Sequence, residues 1–297
     1  MKPRAPRQLG PLVLLLASVS LSACAPWHKP VYPPRLDIRW VPAQAMAGHA
    51  LQLEVQAQPA DLEIQISADS QSLTLAAQAN PAQPGCFRGY LAIPLENVPT
   101  SFSLTLTAVS KPGEVLLSKL YTIPMLPRPQ DLITNLWIRN ISQYDYSGES
   151  AVMAAARRQA SSVPRTAWDF LSWPLQGRIS EQFGVIRNYN RGIRNSRHTG
   201  LDIAAAQGTI VQAPGPGIVL LSEEFKAHGK TILINHGYGV VSTFLHLSKM
   251  NITSGQTVSQ NEAIGEVGST GASTGPHLHF QVNINGIPID PRDLFQE

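Results

Sequence analysis

The chain reads as all-β: an N-terminal immunoglobulin-like β-sandwich, then a second, mostly antiparallel β domain whose motif strands line an open groove. Two observations carry this expectation, and a third marks the segment between the domains. Residues 36–125 alternate apolar and polar side chains, as in Leu51-Gln52-Leu53-Glu54-Val55 and Leu62-Glu63-Ile64-Gln65-Ile66, the pattern of strands with one buried and one wet face. From residue 171 onward, glycine punctuates short β-prone runs such as Gly217-Ile218-Val219-Leu220-Leu221 and Thr231-Ile232-Leu233-Ile234. Good helix formers gather between the two regions, over residues 148–160.

Taken in order, residues 1–23 start with Lys2, Arg4 and Arg7 and run into a short apolar stretch. That stretch is too short to span a bilayer, which takes about 20 residues, so it reads as a signal peptide. Leu21-Ser22-Ala23-Cys24 resembles the lipobox of bacterial lipoproteins. The resemblance implies that Cys24 is acylated and ties the mature chain to a membrane. Ala25 stands where an Asp would retain a lipoprotein at the inner membrane, so the expected anchor is the outer membrane, facing the periplasm. Residues 24–35 hold Pro26, Pro30, Pro33 and Pro34, which fix φ and make a stiff, extended tether.

In residues 36–125, turns are marked by Gly48, Asn80-Pro81, Pro84-Gly85 and Pro112-Gly113. They divide the region into about seven short strands, the number an immunoglobulin-like sandwich needs. It holds no cluster of titratable groups, so a spacer or docking role is expected. Residues 126–170 form an inter-domain segment with one short helix, and Leu136, Trp137, Ile138, Tyr144 and Tyr146 give it apolar surface to pack. Residues 171–297 are the second domain.

The net charge of +3 comes from the leader; beyond it the chain carries 20 basic and 20 acidic residues. No general basic field remains to attract nucleic acid. With Cys24 acylated, Cys86 has no intrachain partner, which excludes a disulfide framework. Cys86 is expected as a small buried apolar residue.

Six of the eight histidines fall between His198 and His279, and imidazoles this dense point to a metal or to proton chemistry. His277 and His279, flanked by Leu278 and Phe280, read as a strand that points both rings to one face. His198, Gly200 and Asp202 read as a loop entering a short strand, with Gly200 letting backbone approach closely. Two His and one carboxylate leave a fourth tetrahedral position for water, the arrangement of a hydrolytic zinc site. Zinc lowers the pKa of such a water from 15.7 to about 7. The histidines left over suit proton transfer and oxyanion stabilisation.

Phe183-Gly184, Arg197-His198-Thr199-Gly200-Leu201-Asp202-Ile203, Phe244-Leu245-His246-Leu247-Ser248 and Ser273-Thr274-Gly275-Pro276-His277-Leu278-His279-Phe280 together resemble the lysostaphin-type (LytM-like) zinc endopeptidases. The resemblance covers roughly residues 173–290. It implies His198, Asp202 and His279 as the ligands of one zinc ion, and His246 with His277 as the catalytic pair, the division of labour between them left open. It further implies hydrolysis of peptide cross-links in peptidoglycan, with a D-Ala to meso-diaminopimelate bond favoured by analogy. A wall-binding regulator without activity, and a non-haem iron site built on the same triad, are the alternatives.

Phe244 and Gln281 depart from the Tyr and Glu of many members, and neither stands at a ligand or proton-carrier position of the resemblance. The stretch 185–197, with Arg187, Arg191, Arg194 and Arg197, reads as an exposed loop. Arg191 and Arg194 are its candidates for meeting stem-peptide carboxylates. His236 is expected in a structural role and His228 at the surface. The inter-domain segment is expected as a packed linker lying against the second domain; were its path to cover the zinc groove instead, it would restrain activity.

Overall fold

The computed structural model describes residues 35–42, 44–58, 62–68, 71–77, 85–96, 101–110, 113–127, 131–160 and 170–295. The expected leader, the lipidation site Cys24 and nearly all of the tether lie outside them.

The alternating region makes β1 (Arg35–Val41), β2 (Ala50–Gln58), β3 (Glu63–Ala68), β4 (Gln71–Ala77), β5 (Cys86–Ala92), β6 (Ser101–Val109) and β7 (Val115–Pro124). They form one antiparallel path in the order β1-β2-β5-β4-β3-β6-β7. Alternation becomes burial directly. Leu51, Leu53, Val55 and Ala57 of β2, Ile64 and Ile66 of β3, and Phe102, Leu104 and Leu106 of β6 share one apolar core. Residues from both ends of this one continuous seven-stranded sheet, Leu36 of β1 and Ile123 of β7, join that core. Cys86 is half-buried rather than buried, and its thiol donates to the Gln56 side-chain oxygen.

The inter-domain segment is more structured than its sequence suggests. It supplies β8 (Ile133–Leu136) and α1 (Tyr146–Gln159). Asp145 caps the helix by accepting the Gly148 N–H at 2.9 Å. Met153, Ala156 and Ala160 pack on Leu221, Leu233, Val241 and Leu245 of the second domain.

That domain contains β9 (Arg178–Glu181), β10 (Ile186–Tyr189), β11 (Arg194–Arg197), β12 (Leu201–Ala204), β13 (Ile210–Gln212), β14 (Gly217–Phe225), β15 (Gly229–Gly237), β16 (Val240–Leu247), β17 (Lys249–Met250), β18 (Thr257–Val258), β19 (Ala263–Glu266), β20 (His277–Ile284) and β21 (Ile287–Ile289). Its main sheet runs β18-β14-β15-β16-β20-β12-β9, with β21 on β20, and β13, β19 and β17 make a small second sheet. The all-β expectation holds. The stretch read as an exposed arginine loop is instead the hairpin β10–β11, and β8 pairs with β10 in parallel. Four-residue strands interrupted by arginines show too little alternation to be seen locally.

The two β regions meet through Tyr90 and Tyr238, whose rings cross at 6.0 Å, and through Asp293, which accepts from the Ala50 N–H at 2.7 Å and bonds His49. A Cβ on Gly48, at φ +83, would stand 2.6 Å from the Phe183 ring, so only glycine admits this approach.

Candidate active site

Three strands place the motif side chains. β12 and β20 are antiparallel neighbours with Asp202 opposite His279, and β16 sets Leu245 opposite His279 on the other side. His198 sits just ahead of β12. Gly200 is where the backbone closes in, since a Cβ there would lie 2.4 Å from the Phe280 oxygen and 2.9 Å from His279 Nε2.

Strand alternation would send His246 to the face opposite Leu245. Its φ of +62 breaks the alternation, and both side chains line one cavity. A non-glycine residue in this conformation is costly and persists only where the surroundings enforce it. Here the His246 N–H donates to the His228 oxygen, and His246 Nδ1 donates to the Thr270 oxygen at 2.8 Å.

Among the described residues, His198, Asp202 and His279 are the one set of side chains able to hold a metal ion. His198 Nε2 lies 3.1 Å from Asp202 Oδ1 and 3.0 Å from His279 Nδ1, and the latter two atoms are 2.9 Å apart. His198 Nδ1 faces the Gln182 oxygen at 2.7 Å, which assigns its proton there and leaves a lone pair on Nε2. Converging lone pairs from two imidazoles and a carboxylate form a donor set that a divalent cation satisfies. The residues therefore fit the metal that the motif implies.

The charge states agree with that use. Burial would raise the Asp202 carboxyl, but its contacts with His198 and His279 and the Arg187 charge outweigh burial and hold it well below the usual range. Burial lowers His279 to about 4, despite Asp202 beside it. Burial, with the neighbouring His277 and His279, lowers His246 to about 3. At neutral pH these rings are uncharged, as ligands and bases must be. Arg187 donates to Asp202 Oδ2 and to Glu181, which leaves Oδ1 for the imidazoles.

His277 stands beside this set, its Nε2 3.9 Å from Asp202 Oδ2 and its ring 5.0 Å from that of His246. Its Nδ1 donates to the Gly275 oxygen at 2.8 Å. His246 and His277 thus share one tautomer, each with Nδ1 fixed by a carbonyl and Nε2 available.

The inter-domain segment walls the groove on two sides. A cavity of ≈ 400 Å³ runs from His198, His246 and His279 to Tyr146, Met153 and Arg157 of α1. A second, of ≈ 370 Å³, is bounded by Asp202, His246, His277 and Arg187, and by Thr134 and Leu136 of β8. The groove is therefore less open than its sequence suggests. Arg194 lines the first cavity and stacks on Tyr146, its guanidinium carbon 3.9 Å from the ring centre. Arg191 is exposed on the hairpin turn and lines neither cavity.

His228 is not at the surface. Its Nδ1 bonds the Glu149 carboxylate of α1 at 2.7 Å, and its ring meets Tyr146 edge-on. Burial lowers His228 despite that carboxylate, so the contact is a hydrogen bond from a neutral ring rather than an ion pair. His236 is structural: Nδ1 donates to the Pro216 oxygen, and Nε2 accepts from the Ser242 hydroxyl. Gln281 receives the Thr199 hydroxyl, while Phe244 packs on Phe280. Arg187, Glu181 and the α1 residues carry no motif signal; Arg187 alone stood out, as part of a run of arginines.

Residues 196–291 match peptidase family M23. An uncharacterised metalloprotease of Haemophilus influenzae is 38% identical over 145 residues, 48% of this chain and 30% of the relative. The DD-carboxypeptidase/endopeptidase Mpg of Neisseria meningitidis is 45% identical over 94 residues, 32% of this chain and 22% of the relative. The peptidoglycan DD-endopeptidase ShyA of Vibrio cholerae is 34% identical over 147 residues, 50% and 31%. The chain spans less than a third of the length of each of these relatives. Among solved structures, a candidate M23 peptidase of Pseudomonas aeruginosa superposes with a TM-score of 0.57 at 24% identity, over 79% of this chain and 89% of that one. That likeness is one of fold.

Proposed function

We propose, from the match of residues 196–291 to peptidase family M23, that the protein is a zinc endopeptidase cutting peptide cross-links of peptidoglycan, at the D-Ala to meso-diaminopimelate bond. One observation carries the reading: the His198, Asp202 and His279 donor atoms converge in the groove that His246 and His277 also face. Relatives named as peptidoglycan DD-endopeptidases support the substrate class.

Zinc bound there would polarise the scissile carbonyl and acidify the attacking water. The protein does the rest. Arg187 fixes Asp202 so that one carboxylate oxygen faces the imidazoles. His246 and His277 present Nε2 lone pairs on the groove side. Between them they take the proton of the attacking water, carry it to the leaving amine and, once protonated, donate to the tetrahedral oxyanion.

We further propose that acylated Cys24 holds the protein at the outer membrane, and that the N-terminal β region spaces the peptidase domain from it. The test is digestion of purified peptidoglycan by the chain from residue 25 onward, with products identified by mass spectrometry. New uncrosslinked peptides that vanish on zinc chelation and in His277→Ala are the expected outcome. Intact cross-links under all conditions would favour a wall-binding regulator.

A further inference from the structure

Among the described residues, Arg157 is a partly buried cation that the peptidase chemistry leaves unexplained. It lies on α1, on the face that Tyr146, Ser150 and Met153 share at helical spacing, and it lines the same ≈ 400 Å³ cavity as His198, His246 and His279. Its Nη2 donates to the Thr243 hydroxyl at 3.1 Å, and its Nε is buried without a hydrogen-bond partner. Burial lowers it to about 10, with no compensating charge. Removing a guanidinium from water without an anion is expensive, and such groups are found paired.

Among the described residues that line it, the cavity has no anion of its own. Its lining includes Arg157, Arg187, Arg194 and Arg197 and no aspartate or glutamate. Arg187 is neutralised by Asp202 and Glu181, and Arg197 by Glu96 and Asp131. Arg157 and Arg194 have no carboxylate among the described residues, and Arg194 is committed to the Tyr146 ring.

Position makes the excess positive charge useful. Thr243 pairs with Gln281, and Leu245 with His279. The Arg157 guanidinium, bonded to Thr243, therefore stands about 7 Å along the strands from the metal ligand, two residues at ~3.4 Å each. That is the reach of a group on the residue flanking a scissile bond.

We propose that Arg157 seats a carboxylate of the substrate, borne by the residue next to the cleaved bond, so that the enzyme favours cross-links in which this carboxylate is free over those in which it is amidated. The class of ligand rests on the peptidase reading; the unpaired cation in the groove does not. The guanidinium offers a planar fork suited to a carboxylate, and α1, which no motif marks, becomes part of the substrate site.

The experiment uses zinc-loaded mature chain carrying His277→Ala, so that turnover does not consume the probe. Two probes are titrated: a cross-linked stem-peptide dimer with the diaminopimelate carboxylate beside the scissile amide free, and its twin with that carboxylate amidated. The free form is expected to bind about tenfold tighter or more. Adding Arg157→Gln should erase the preference, Arg157→Lys should retain part of it, and Arg158→Gln, at an exposed neighbour, should keep it whole. Equal binding of the two probes by the unmodified site overturns the proposal without any further variant. So does a preference that survives Arg157→Gln. Should the preference follow Arg157 while wild-type protein cleaves neither dimer, the seat stands and the peptidase reading falls.

Discussion

β2 and β20 obey the same alternation and bury opposite chemistries. β2 turns Leu51, Leu53, Val55 and Ala57 into an apolar core and leaves Gln52, Glu54 and Gln56 half-exposed. β20 sends Leu278, Phe280, Val282 and Ile284 into the core, while His279, Gln281 and Asn283 on its other face are buried as well. Each of those polar residues is held: His279 by His198 and Asp202, Gln281 by Thr199 and Asn283. A strand with one wet face builds a domain; a strand whose polar face is buried too, beside a cavity that α1 also lines, builds a site. Burial of a polar row is tolerated only with partners supplied by other elements.

The sharpest break of this contrast is at the metal set. Asp202→Ala should abolish hydrolysis by about a thousandfold or more, the loss of several kcal/mol of transition-state stabilisation. It should also remove bound zinc, measured by elemental analysis of the purified protein. Its mirror in the N-terminal core is Leu53→Ala, which should cost about 2–5 kcal/mol of unfolding free energy. Denaturant melts would read that loss, while kcat on peptidoglycan fragments stays unchanged in the folded protein. A melt unaffected by Leu53→Ala would deny the first region its role as an independent apolar core.

Acid should act on the second region. Burial lowers His236 to about 4 from an ordinary 6.5, so the unfolded chain binds the proton first and stability rises with pH. This contribution is present in full above about 6.5 and is lost progressively as pH falls toward about 4, to the extent of ~3 kcal/mol. Thermal melts from pH 7 to 4 should fall accordingly, and His236→Gln, if it folds, should flatten the slope. Smaller again, Arg187→Gln should weaken zinc about 10–100-fold by freeing the outer oxygen of Asp202. Chelator competition reads this directly, and unchanged zinc affinity would reduce Arg187 to a packing role.

The motif histidines and Asp202 were legible because each motif is local: His277 and His279 need only strand alternation to share a face. Leu51 to Ala57 were legible for the same reason. Arg191 and Arg194 looked equivalent in sequence, yet the hairpin turn leaves Arg191 in solvent and folds Arg194 onto Tyr146. His228 looked superficial until Glu149, 79 residues away, reached it.

From the sequence alone came the all-β character, the donor set and the family likeness, since periodicity and motif spacing are properties of neighbouring residues. Tertiary structure decided the rest. It turned His246 to the groove through a positive φ, paired β8 with the strand of Arg187, and brought α1 to the cavity that Gln281 and Asn283 also line, with Arg157 bonded to Thr243. Contacts between segments distant along the chain leave no periodic trace, so their energetics appear only when the chain is folded.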